Sequence, residues 1–230
     1  MYRLYQKLAL LLGVIFIFPG AQKVTGQPDR WESAIQAFEA QDEQNPPPEG
    51  AVLFAGSSSI RGWESLQQDF PFVQVIQRGF GGSEMEDLLY YADRIVLPYK
   101  PAVIIVYEGD NDIANGKSPD RVFADFRRFV EKVHAALPDT RIGYIAIKPS
   151  FARWNLIEEM AEANQMIREF TLWRSNLEYI DIFSSMLGLD GKPRKELLIE
   201  DGLHLTPAGY HLWTEMVTPY LQSAEITQTE

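Results

Sequence analysis

Four short stretches hold the residues able to do chemistry. Gly56-Ser57-Ser58-Ser59-Ile60 gathers three hydroxyls, and Arg78-Gly79-Phe80-Gly81-Gly82-Ser83 is a glycine-rich turn. Glu108-Gly109-Asp110-Asn111-Asp112 sets an amide among carboxylates, and Asp201-Gly202-Leu203-His204 puts a carboxylate three residues before an imidazole. A serine attacks a carbonyl carbon only when a base takes its proton, and that base needs a third group to hold its ring. The chain has 3 histidines. His134 falls in an amphipathic stretch and is expected at the surface; His211 falls in the last helix, packed or facing solvent. His204 sits in a loop where Asp201 meets its ring from the same turn and fixes its tautomer. Serine cluster, imidazole and carboxylate together point to nucleophilic attack on an ester-like carbonyl.

The serine turn has two other readings. Free amides in such a turn cradle anions, as a flavin or another phosphate ligand requires, and three serines also serve as a plain capped turn. It is not the G-x-S-x-G elbow, because Ile60 stands where the second glycine belongs. Glu108, Asp110 and Asp112 do not make a calcium loop, since Ala114 and Asn115 occupy a ligand and a glycine position; turn capping is expected there, and no metal. Lys148-Pro149-Ser150-Phe151-Ala152-Arg153-Trp154 sets cations beside aromatics, suited to a sugar or carboxylate or to a plain surface loop, and is given no catalytic role. A third possibility for the whole chain is a non-catalytic exported module that binds glycans.

These stretches must be held by a scaffold, and apolar runs bounded by turn residues supply it. Ala51–Ala55, Val73–Ile76, Val103–Tyr107, Ile142–Ile147 and Leu177–Ile180 read as strands buried on both faces. Amphipathic stretches separate them. Pro28–Gln44 reads as a helix with Trp31, Ile35 and Phe38 on one face, ended by the proline run 46–48. Ser83 with Glu86 predicts a capping box, and Ser118-Pro119 and Thr206-Pro207 predict helix starts, the last helix running from Ala208 to about Leu221. Strands alternating with helices predict a three-layer α/β/α sandwich around a five-stranded parallel sheet. All four chemical stretches then lie beyond the carboxyl ends of strands, where such sheets bind ligands.

Taken together, Phe54-Ala55-Gly56-Ser57-Ser58-Ser59-Ile60-Arg61-Gly62-Trp63 resembles the first motif of the SGNH, or GDSL-type, hydrolases. Gly79-Phe80-Gly81-Gly82 resembles their second, Gly109-Asp110-Asn111-Asp112 their third and Asp201-Gly202-Leu203-His204 their last, in the family's order from about residue 50 to 221. The resemblance implies a flavodoxin-like fold and hydrolysis of carboxylic esters with no metal or organic cofactor; export and an acidic surface point to O-acetyl groups on carbohydrates, with small lipid or aryl esters behind them. Carried over position by position, it makes Ser58 the nucleophile, His204 the base and Asp201 its orienter. The oxyanion would be held by the N–H groups of Ser58 and Gly82 and by the side-chain amide of Asn111. Two positions depart from the family pattern: Ser57 stands where aspartate is usual and Gln77 where asparagine is usual. Neither carries a proton in this chemistry. With three serines in a row, the register rests on the alignment, and Ser57 and Ser59 are the fallback nucleophiles.

The ends of the chain and its charge complete the reading. Residues 1–26 carry Arg3 and Lys7, then the run Leu8–Phe18, then Pro19-Gly20, the pattern of an export signal. The run is short for a transmembrane helix. Its removal would take the formal charge from −11 to −14, because residues 1–26 hold Arg3, Lys7, Lys23 and no acid. Residues 27–50 form the first helix and linker, 51–223 the hydrolase domain and 224–230 a tail. The expected product is exported, acidic and not held in a membrane, with a small-molecule or glycan ester as partner. Such a charge repels a phosphate backbone, so nucleic acid is not expected. With 0 cysteines there is no disulfide, zinc-thiolate or cysteine nucleophile. Hydrophobic residues at 46% suffice for one packed core and exclude a disordered chain.

Overall fold

The structure is a computed structural model that describes residues 28–227, with side-chain surroundings for residues 30–223. The expected signal segment lies outside the described residues. Five parallel strands, β1 (Val52–Gly56), β2 (Val75–Gly79), β3 (Val103–Tyr107), β4 (Arg141–Ile145) and β5 (Leu177–Ile180), form one sheet in the order β2-β1-β3-β4-β5. This is the flavodoxin-like order, whose direction of winding reverses between β1 and β3. Neighbouring strand ends diverge there, so loops following β1, β2 and β3 open onto one crevice.

Alternation along the strands separates two cores. Leu53 and Ala55 of β1 face a layer built by α1 (Pro28–Gln44), α4 (Met85–Ile95), α6 (Pro119–Ala136) and α7 (Ile157–Thr171). Val52 and Phe54 face the opposite layer, where α9 (Pro207–Thr227) packs with the short helices α2 (Ser58–Arg61), α3 (Leu66–Asp69) and α8 (Ile182–Ser185). The second core is aromatic near the site. Trp63 stacks on Tyr210 at 5.2 Å and meets Phe54, Phe70 and Trp213 edge-on, which locks the segment after β1 onto α9. Tyr210 also donates its hydroxyl to the Ser59 carbonyl at 3.0 Å.

Several boundaries differ from expectation, each for a physical reason. β2 begins at Val75 and extends through Gln77 and Arg78, because it is an edge strand whose polar residues find partners. Gln77 donates to the Ile60 and Trp63 carbonyls at 2.6 and 3.1 Å, and Arg78 is buried against Asp42 and Tyr99. An apolar run ends before such residues. The capping box before α4 is formed by Glu84 and Asp87, with the Glu84 N–H donating to Asp87 at 3.0 Å, and not by Ser83 and Glu86. Ser83 is drawn away by Glu108, to which it donates at 2.6 Å. The starts of α6 and α9 stand as expected: Ser118 accepts from Arg121 N–H, and Thr206 from Gly209 N–H. α9 continues to Thr227, past Pro219 and beyond the expected end near Leu221.

Candidate active site

The serine turn is shaped by a glycine. Gly56 closes β1 at φ +150°, and a Cβ there would lie 2.1 Å from the Tyr107 carbonyl oxygen, so no other residue fits. The chain turns at once into α2. Ser57 and Ser59 point inward and are buried, while Ser58 at the first helical position stays half-buried and open to the crevice. The turn therefore offers one hydroxyl outward, which suits a nucleophile better than a phosphate cradle.

That hydroxyl meets the loop of residues 198–206. Leu198 and Leu205 form an antiparallel bridge, the Ile199 N–H donates to the His204 carbonyl at 2.8 Å, and Ala152 N–H donates to the Gly202 carbonyl at 3.1 Å. Within this frame Asp201 Oδ1 accepts from the N–H groups of Leu203 and His204 at 2.8 and 2.9 Å. Asp201 Oδ2 lies 2.6 Å from His204 Nδ1, and His204 Nε2 lies 3.0 Å from Ser58 Oγ. Burial acts to raise the Asp201 carboxyl, but the bonds from the His204 ring and the two N–H groups win and bring it down to about 2. An ionised carboxylate only accepts, so Nδ1 carries the proton and Nε2 presents its lone pair to the Ser58 hydroxyl. The fallback serines have no such contact. His134 is far from this line, half-buried against the Thr140 carbonyl at 2.9 Å and Asn176, and His211 is exposed beside Glu215.

Two further loops adjoin the serine turn, the Phe80 N–H donating to the Gly56 carbonyl at 2.9 Å. Gly82 adopts φ +81°, and Asn111 lies on α5 (Asp110–Ala114) after β3. Asn111 Nδ2 donates to the Ser83 carbonyl at 2.9 Å, and its Oδ1 accepts from Arg153 Nη2 at 2.8 Å. These two bonds fix which end of the amide is nitrogen, and Nδ2 keeps a second N–H. Among the described residues the N–H groups of Ser58 and Gly82 have no acceptor. Arg153 comes from the stretch after β4 expected to line the pocket or the surface, and it holds the Asn111 side chain. Its place after β4 was the only signal in the sequence, since nothing there couples it to a residue 42 positions earlier.

Behind α5 lies a layer of buried acids, each handled differently. Asp110 is flanked by Lys148 at 2.8 Å and Arg153 at 3.1 Å; burial would raise its carboxyl, but those two charges hold it below the usual range. Asp112 accepts from Met85 N–H and pairs with Lys117 at 3.2 Å, yet burial pushes it up to about 7. Glu108 is fully buried with one oxygen bonded to Ser83; burial, then the Asp112 charge, raises it well above the normal carboxylate value. Among the described residues no group of three or more His, Asp or Glu is arranged to hold a metal ion.

This layer gives a pH prediction. A carboxyl raised on folding is neutral in both states below about pH 4 and costs stability as pH rises through its folded value. The melting temperature should therefore fall between pH 5 and 8, and less steeply in Asp112→Asn. Thermal melts of both proteins across that range check it; equal slopes would remove Asp112 from the account.

A family model described as the GDSL-like Lipase/Acylhydrolase family matches residues 43–212. The chain belongs to that family. Solved structures agree on the fold. A GDSL-like lipase from Bacteroides thetaiotaomicron superposes with a TM-score of 0.73 at 19% identity, covering 83% of this chain and 98% of that one. The lipase/acylhydrolase from Enterococcus faecalis gives 0.59 at 21%, covering 75% and 95%. A mutant of an acetyl-xylooligosaccharide esterase from Geobacillus Stearmophilus gives 0.60 at 16%, covering 77% and 95%. At these identities the likeness is one of fold. Comparison with curated proteins finds no match. The four motif regions of the GDSL chain are the four loops that meet at the crevice; of its departures from the family pattern, Ser57 is buried and Gln77 is half-buried against the Ile60 and Trp63 carbonyls, and neither touches the serine–histidine line.

Proposed function

We propose that the protein is a serine ester hydrolase that works through an acyl-enzyme. The observation that carries this reading is the continuous line from Ser58 Oγ through the His204 ring to Asp201, with gaps of 3.0 and 2.6 Å. Ser58 Oγ attacks the ester carbonyl carbon as His204 Nε2 takes its proton, and the carbonyl electron pair moves onto oxygen. The oxyanion lodges against the N–H groups of Ser58 and Gly82 and the remaining N–H of Asn111. Collapse breaks the bond to the alcohol, which leaves with the proton from His204. Water then attacks the acyl-enzyme with the same proton path and frees the acid. Arg153 is a positioning residue here, since its bond to Asn111 Oδ1 keeps the amide nitrogen turned toward the oxyanion.

O-acetyl groups on carbohydrates are the substrate class we favour. The fold it shares with an acetyl-xylooligosaccharide esterase supports this, as does exposed Phe151, which packs over Gly202 beside His204 and offers a face for a sugar ring. We place the enzyme outside the cytoplasm on the strength of residues 1–26. No helix among the described residues is long and apolar enough to cross a membrane.

A fluorophosphonate probe tests the reading directly, because it reacts with a serine activated by a neighbouring base. One label per chain is expected, and peptide mapping should place it on Ser58. A label on Ser57 or Ser59, or none on folded protein that also cleaves no aryl acetate, would overturn it.

A further inference from the structure

Two arginines stand at the glycine turn and, among the described residues, hold no carboxylate. Arg61 lies on α2, three residues after Ser58, and its guanidinium rests against Gly81. A Cβ at position 81 would lie 2.4 Å from Cζ and 2.6 and 2.7 Å from the two Nη atoms. Any side chain there would push the guanidinium away, so the glycine keeps it on the turn. Arg30, at the start of α1, stacks over the Trp31 ring at 4.5 Å. Its Nη2 reaches to 3.6 Å from the position a Cβ on Gly82 would occupy, and the Trp31 ring to 3.3 Å. Both arginines are exposed, and among the described residues neither forms an ion pair.

The contrast with their neighbours is what gives this weight. Arg78 holds Asp42, Arg94 holds Glu32 and Glu39, and Arg153 holds Asp110. In a chain with 32 Asp+Glu against 21 Lys+Arg, acids are in excess. Even so, two guanidiniums flank consecutive residues of one turn, and among the described residues none of these acids pairs with them. A guanidinium fork matches carboxylate and phosphate oxygens in a paired geometry. At longer range, the acidic chain repels any anionic ligand. An anionic ester would need local cations to settle here.

We propose that Arg61 and Arg30 form an anion subsite on the rim of the oxyanion turn. The preferred esters then carry a second, negatively charged group, a carboxylate or a phosphate, near the scissile bond. This rests on the serine-hydrolase reading above and narrows its substrate class.

Three matched pairs test it: an O-acetylated hexuronic acid against its methyl ester, an O-acetylated hexose phosphate against the unphosphorylated sugar, and a mono-4-nitrophenyl glutarate against its methyl ester. In at least one pair the charged member should lead in kcat/KM by about tenfold or more, as a charge-assisted contact implies. The lead should shrink with added salt. In the Arg30→Gln, Arg61→Gln double variant it should fall below about threefold. Because Arg61 also packs the turn, the exposed Arg30→Gln variant is measured alone and should lower the same ratio. The winning pair tells carboxylate from phosphate and the acyl side from the alcohol side. No preference in any pair, or an undiminished one in the double variant, overturns the subsite while Ser58→Ala remains inactive. Hydrolysis that survives Ser58→Ala overturns the hydrolase reading and the subsite with it.

Discussion

Ser58→Ala should fold normally and lose about 10⁴–10⁶ in kcat on a simple aryl acetate, the range seen when a triad serine is removed. The change deletes one oxygen from a half-buried position at the crevice. It costs one hydrogen bond, about 1 kcal/mol, so the melting temperature should fall by only about 2–4 °C. Ser57 and Ser59 do not substitute, because their hydroxyls are buried on the inner side of the turn. Steady-state rates beside circular dichroism melts make the test. A folded Ser58→Ala protein with more than about one per cent of wild-type kcat would contradict the nucleophile assignment.

Asp201→Asn has the second-largest expected effect, and the local geometry says why. Asp201 Oδ1 already accepts from two backbone N–H groups. An asparagine must keep its oxygen on those donors, which turns its NH₂ toward His204 Nδ1. The ring then has to accept at Nδ1 and carry its proton on Nε2, the atom that should receive the serine's proton. Structure is preserved while the base is in the wrong tautomer, and kcat should drop about 10³–10⁴-fold. Asp201→Glu, which keeps the charge but not the two backbone bonds, should lose turn geometry instead. A near-normal kcat in Asp201→Asn would show that the carboxylate does not set the tautomer.

How much of this could be read from residues alone varies with distance along the chain. The Asp201–His204 pair was legible because its members share one turn, and the strands β1, β3 and β5 because both faces are buried and the runs are apolar. β2 was misplaced by its polar partners, and Ser83 was misread as a cap because its competitor, Glu108, sits 25 residues away. The register among Ser57, Ser58 and Ser59 depended on resemblance to a family, since only the fold decides which of three adjacent hydroxyls faces outward. The grip of Arg153 on Asn111 left only its place after β4 as a sequence signal, because an arginine's reach is set by rotamers and the loop that carries it.

The imidazole and its carboxylate hang from a single short segment, whereas the hydroxyl belongs to another part of the sheet. The first two are tied within one turn, whereas the gap between ring and oxygen joins separate segments. Tyr210 links the two segments, since its helix follows the histidine and its phenol grips the Ser59 carbonyl. If the proposed mechanism holds, the C-terminal helix is the calliper of the reaction, since it ties the turn that carries the hydroxyl to the segment that follows the imidazole.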